Sequence, residues 1–135
     1  MGMKTIGRFV YDNSTVTNLA ANENIPLPTS TISTNCISND GTTITINRSG
    51  VYEILANFTF EATATGAQET QMYRNGNAVP GAHVVNTATT VGDYVSQEFN
   101  GVITVPRNAP TASINFKAIN ATSVRIANVL VIKIA

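Results

Sequence analysis

Hydrolytic chemistry needs a nucleophile, a base to activate it and a group to orient that base, and the base is most often histidine. The chain holds one histidine, His83, which follows Val79-Pro80-Gly81 in an expected loop with no acidic residue near it in sequence. It reads as a structural or solvated side chain. Cys36 is also alone, which excludes an intramolecular disulfide and suits a small buried hydrophobe in a half-apolar strand. Glu53 and Glu61 share one strand face and could form a glycosidase pair. Eight residues of strand hold them roughly 26 Å apart at about 3.3 Å per residue, which is too far. Zinc needs clustered His and Cys, and calcium needs several acidic oxygens at short spacing, whereas Asp12, Asp40 and Asp93 stand singly. The glycines are isolated at turns and lack the spacing that grips phosphate. The expected catalytic, cofactor-binding and metal-binding residues are therefore none, and no cofactor is implied.

Those residues are carried by 135 amino acids, a length that fits one domain with a real core. Charged residues make up 12% of the chain, about half the usual quarter, while Thr, Asn, Ser, Val and Ile are abundant, which favours strands. Formal net charge is zero and the charges are scattered singly, so there is no basic field to hold nucleic acid or an anionic membrane. Met1 to Tyr11 lacks the apolar run of a signal peptide, and no stretch approaches the roughly twenty apolar residues of a membrane helix. Synthesis in a cytoplasm without an export signal is the expectation. Four Asn-x-Ser/Thr sequons, at Asn13, Asn47, Asn57 and Asn120, follow from an Asn- and Thr-rich composition.

Hydrophobic periodicity is two wherever it can be read, the mark of half-buried strands. In Val51 to Glu61, the residues Tyr52, Ile54, Ala56, Phe58 and Phe60 share one face while Glu53, Asn57, Thr59 and Glu61 alternate onto the other. Asp40-Gly41 predicts a tight hairpin between a weak strand at Ile32 to Ile37 and a stronger one at Thr42 to Asn47. Asn75-Gly76 predicts a second hairpin, from Glu69–Arg74 into the short segment Asn77–Val79. Tyr94 to Val105 places Val95, Phe99, Ile103 and Val105 on one face, and Ser113 to Ile119 presents Ile114, Phe116 and Ala118. Pro26 and Pro28 fix an extended or edge segment. Many short strands, frequent turn signals and no βαβ alternation predict an all-β fold, a two-sheet antiparallel jelly-roll sandwich.

The final strand, Val124 to Ile134, is apolar on both faces: Ile126, Leu130, Ile132 and Ile134 on one, Ala127, Val129 and Val131 on the other. A strand greasy on both sides must cover both. Val51 and Leu55 likewise interrupt the polar face of their strand. An exposed apolar patch of this kind marks a protein–protein contact, so Val51, Leu55, Ala127, Val129 and Val131 are the expected interface residues.

Gly50 to Ala62, GVYEILANFTFEA, resembles the opening of a central strand in C1q/TNF-like jelly rolls. QMYRNGNAVPG, from Gln71 to Gly81, and ANVLVIKIA, from Ala127 to Ala135, are similar to the C-terminal domain of collagen-like exosporium glycoproteins and to phage head-fibre and capsid decoration modules. The resemblance covers about residues 25–135. It implies a jelly-roll domain there, preceded by a segment 1–24 that is a candidate docking arm and first strand, with Lys4 to Leu19 as the stretch that docks on a capsid or contributes an added strand. It further implies homotrimers formed through the inner sheet, which includes the last strand. Nothing collagen-like precedes residue 25, so the expected role is a non-enzymatic, homotrimeric capsid decoration or head-fibre protein on a virion surface. The alternatives are a carbohydrate- or receptor-binding module, with Asn75–Asn86 or Pro106–Pro110 as binding loops, and a spore- or cell-surface protein. Expected partners are further copies of the chain, a major capsid protein and a surface glycan, with no nucleic acid and no membrane.

Overall fold

The computed structural model describes residues 4–135. Its regular elements are eleven strands: β1 (Ile6–Leu19), β2 (Glu23–Asn24), β3 (Thr29–Ser33), β4 (Ile37–Asn39), β5 (Ile44–Ile46), β6 (Gly50–Glu61), β7 (Gly66–Arg74), β8 (Asn77–Ala88), β9 (Tyr94–Val105), β10 (Ala112–Ala118) and β11 (Thr122–Lys133). Two antiparallel sheets result. The first has the order β3-β1-β11-β6-β9; the second runs β4-β5-β10-β7-β8, with β2 added against β10. No helix among the described residues is long and apolar enough to cross a membrane.

Alternation along each strand decides which side chains meet between the sheets. On β6 the whole set Tyr52, Ile54, Ala56, Phe58 and Phe60 is buried, and Ile114, Phe116 and Ala118 of β10 face it from the second sheet. Phe58 is the centre of an aromatic cluster, with ring centroids 5.5 Å from Phe116 and 6.0 Å from Phe99. Tilted rings at such distances add to the area they bury. At the end of β6 where the strand begins, the Tyr52 hydroxyl donates to the Arg48 carbonyl at 2.8 Å, and burial pushes its phenol above the usual 10.0 while the Arg48 guanidinium pulls the other way. Towards the other end, Gln97 of β9 links the sheets. It accepts from the Thr70 hydroxyl and donates to the Gln68 carbonyl at 2.7 Å, so two buried polar side chains on facing sheets satisfy each other.

The hairpin at Asn75-Gly76 is a two-residue turn. Arg74 pairs with Asn77, and positive φ at both Asn75 (49°) and Gly76 (83°) gives the backbone twist that right-handed strands require. The strand that follows is longer than the expected Asn77–Val79, because β8 continues through Pro80-Gly81 to Ala88. Pro80 is tolerated there because β8 is an edge strand, and Gly81 (φ 81°) lies where the β7–β8 register shifts. The Gln71 amide spans this bulge, donating to the carbonyls of Val79 at 2.9 Å and Ala82 at 3.2 Å.

Three expectations need correction. Asp40-Gly41 belongs to a longer loop: Asn39 pairs with Ile44, and the Asp40 carboxylate accepts from the amides of Thr42 and Thr43 at 3.1 and 2.8 Å. Those bonds lower its pKa below 3.8. The strand expected over Ile32 to Ile37 is two strands in different sheets, β3 and β4, joined by a turn in which Ile37 N–H donates to the Thr34 carbonyl. Cys36 sits in that turn, half-buried, rather than in a strand. The segment before residue 25 does supply the first strand expected of it. Residues 1–3 lie outside the described residues, but β1 fills the first sheet between β3 and β11, with Phe9 fully buried, so from Ile6 onward the segment belongs to the fold. Pro26 and Pro28 do lie in an extended stretch, and Ile25 and Leu27, which alternate with them, plug the core.

Candidate interaction surface

β11 is the middle strand of the first sheet, and one residue decides which of its faces looks inward. Val124 pairs with Phe60 but Ile126 pairs with Thr59, so Arg125 is an extra residue in the ladder. A bulge of this kind reverses the alternation beyond it. Val124 is buried; after the bulge Ala127, Val129 and Val131 are the buried set, each with no exposed area, and Ile126, Leu130 and Ile132 turn outward. The expected interface is corrected accordingly. Ala127, Val129 and Val131 pack inside their own chain opposite Phe58, Ala56 and Ile54, where the large side chains of β6 leave room for small and β-branched ones. Val51 and Leu55 do lie on the outer face, Leu55 being 39% exposed.

The outer face can be followed across the ladders in rows. Ile6, Ile132, Glu53 and Val102 form one; Arg8, Leu130, Leu55 and Asn100 the next; Val10, Asn128, Asn57 and Glu98 the third; Asp12, Ile126, Thr59 and Ser96 the fourth. Each row mixes apolar and polar side chains; the second is apolar on both β11 and β6, and Asn128 and Asn57 interrupt the apolar surface in the third. Val102 is 57% exposed and Ile134, beyond the first row, 55%. The second and third rows border a shallow groove of about 390 Å³ lined by Arg8, Leu55, Asn57, Glu98, Asn128 and Leu130 among others. Arg8 Nε donates to Asn128 Oδ1 at 2.9 Å, and Arg125 pairs with Asp12 at 3.5 Å.

Elsewhere the chemistry-bearing side chains are dispersed. His83 lies within β8, not in a loop, and its Nε2 meets Glu69 Oε2 at 2.5 Å, an exposed pairing across the β7–β8 ladder that sequence distance concealed. Among the described residues no group of three His, Cys, Asp or Glu side chains is placed to hold a metal. Of the expected binding loops, Pro106–Pro110 is a turn between β9 and β10, while Asn75–Asn86 is mostly strand.

No family model matches the sequence, and no curated protein does. The resemblance to exosporium glycoproteins therefore stands on its quoted motifs alone. Solved structures do match in shape. The Eiger TNF of S. frugiperda superposes with a TM-score of 0.74 at 7% identity, over 98% of this chain and 93% of that one. Murine APRIL at pH 5.0 gives 0.70 at 12% identity, covering 98% of this chain and 100% of that one. The PRD1 vertex protein P5 gives 0.58 at 15% identity, covering 99% of this chain and 100% of that one. At such identities the likeness is one of fold, and the fold is a C1q/TNF-like jelly roll.

Proposed function

We propose that the chain is a non-enzymatic structural protein that works as a homotrimer, displayed on a virion surface. The observation that carries the reading is the outer face of the first sheet, where a single copy leaves Leu55 and Val102 exposed and Val51, Ile126, Leu130 and Ile132 only half-buried. A second and third copy set face to face around an axis along the strands would cover it. An obligate interface of more than roughly 2,000 Å² at about 25 cal/mol per Å² supplies tens of kcal/mol before the entropic costs of association. Oligomer and fold would then be linked by mass action. The same sheet, which includes the last strand, is the one through which the family resemblance implies trimers.

The virion setting is supported by the shape shared with the PRD1 vertex protein P5 and by the resemblance to capsid decoration modules. A major capsid protein is the partner this setting calls for, and a surface glycan is a further one for the loops at the sandwich ends. Gold-labelled antibody raised against the chain tests the setting on intact, purified particles: surface labelling supports it, and label confined to the soluble fraction of the lysate opposes it.

A further inference from the structure

The same face carries charges that its own chain leaves without an ionic partner. The ion pairs among the described residues are His83 with Glu69, on the second sheet, and Arg125 with Asp12. Arg8 on β1, Glu53 on β6 and Glu98 on β9 have none. Arg8 and Glu98 stand on opposite halves of the sheet, Arg8 one strand in from the β3 edge and Glu98 on the β9 edge: β1 and β9 are three strand spacings apart, roughly 14 Å at about 4.8 Å each, beyond the reach of a direct pair within one copy. In height they differ by one row, Arg8 standing in the row of Asn100 and Glu98 in the next. The Arg8 guanidinium leans away from its own row onto Asn128, and Asn128 shares its row with Asn57 and Glu98.

This arrangement gains meaning if the face is covered by further copies, the reading on which the inference rests. Closing an apolar face over Arg8, Glu53 and Glu98 leaves each desolvated and unpaired, which opposes assembly strongly, and the one cation can relieve one of the two carboxylates. In a ring whose axis runs along the strands, symmetry keeps each residue at its own height and brings the β1 flank of one copy to the β9 flank of the next. We propose that Arg8 of each copy pairs with Glu98 of the neighbouring copy, one pair per interface, and that this pair fixes the level at which the sheets meet. The occupant of the groove between the second and third rows is thus the partner's carboxylate. Glu53 lies one row beyond Arg8 on the side away from Asn128, so the lean of the guanidinium selects Glu98 over Glu53.

Sedimentation equilibrium on the full chain at micromolar concentration, with far-ultraviolet circular dichroism to verify folding, tests the pair by charge reversal. Arg8→Glu alone and Glu98→Arg alone should each weaken association about tenfold or more, and the double reversal Arg8→Glu/Glu98→Arg should recover most of the loss. Arg8→Glu/Glu53→Arg should recover little. A folded wild type that sediments as a single chain would refute the trimer reading itself. A wild-type trimer unmoved by either single reversal, or a double reversal no better than the singles, would overturn the pair while leaving the trimer intact. Both reversed side chains are exposed in the single chain, so the variants should keep the wild-type circular dichroism.

Discussion

Leu130 and Val131 are neighbours of similar chemistry with opposite expected consequences. Val131 has no exposed area and packs in the core beside Ile54 of β6, whereas Leu130 looks outward beside Leu55. Val131→Asp buries a charge with no partner and should unfold the chain, seen as loss of a cooperative thermal transition. Leu130→Asp should leave each copy folded, with a wild-type circular dichroism spectrum, but unable to associate. A folded Val131→Asp would show the core face to be misassigned. That β11 is apolar on both sides was legible from its residues. Which side turns inward was not, because periodicity alone gives no sign that Arg125 is skipped by the ladder. Arg125 pairs with Asp12 and sits part-exposed, a reasonable place for a charged residue on either face, so its type gave no warning.

Strands with one strict apolar face were legible in full. Tyr94 to Val105 has the same limits as β9, and the inward residues of β6 and β10 are those that alternation selects. The Asn75-Gly76 turn was equally plain, since few other pairs accept two consecutive positive φ angles. Gly76→Ala, at φ 83°, should cost about 1 kcal/mol in urea unfolding. Elements held by long-range partners were not legible. The β8 bulge depends on the Gln71 amide reaching two carbonyls eight and eleven residues away, and removing it with Gln71→Ala should cost about 1–2 kcal/mol, measurable as a lower urea midpoint. Likewise the separation of β3 from β4 reflects pairing with β1 and β5, which local pattern does not encode. The Asp40 loop carries a pH signature. Its pKa is lowered by the Thr43 and Thr42 amides, so its contribution to stability is present above 3.8 and is lost as pH falls through the lower folded value. The difference in thermal midpoint between wild type and Asp40→Ala should therefore be largest near neutrality and narrow in acid; a difference unchanged by pH would contradict this role.

At the scale of the molecule, a jelly roll normally hides one face of each sheet and wets the other. Here the second sheet obeys that rule, with Gln71, Tyr73, Asn115 and Lys117 outward, and the first does not. The two-sheet class was legible from turn spacing and alternation. The place of β1 beside β11 was not, since the first residues are less regular and an early strand can pair anywhere in a sandwich. The resulting asymmetry, one wet sheet and one whose outer face mixes apolar side chains with Arg8, Glu53 and Glu98, is what a self-associating ring needs. Sedimentation equilibrium of the wild-type chain beside Leu130→Asp measures this most directly. The wild type should give three times the 14.3 kDa chain mass and the variant a single chain mass, both folded. A wild type that stays at one chain mass across the micromolar range would contradict the account.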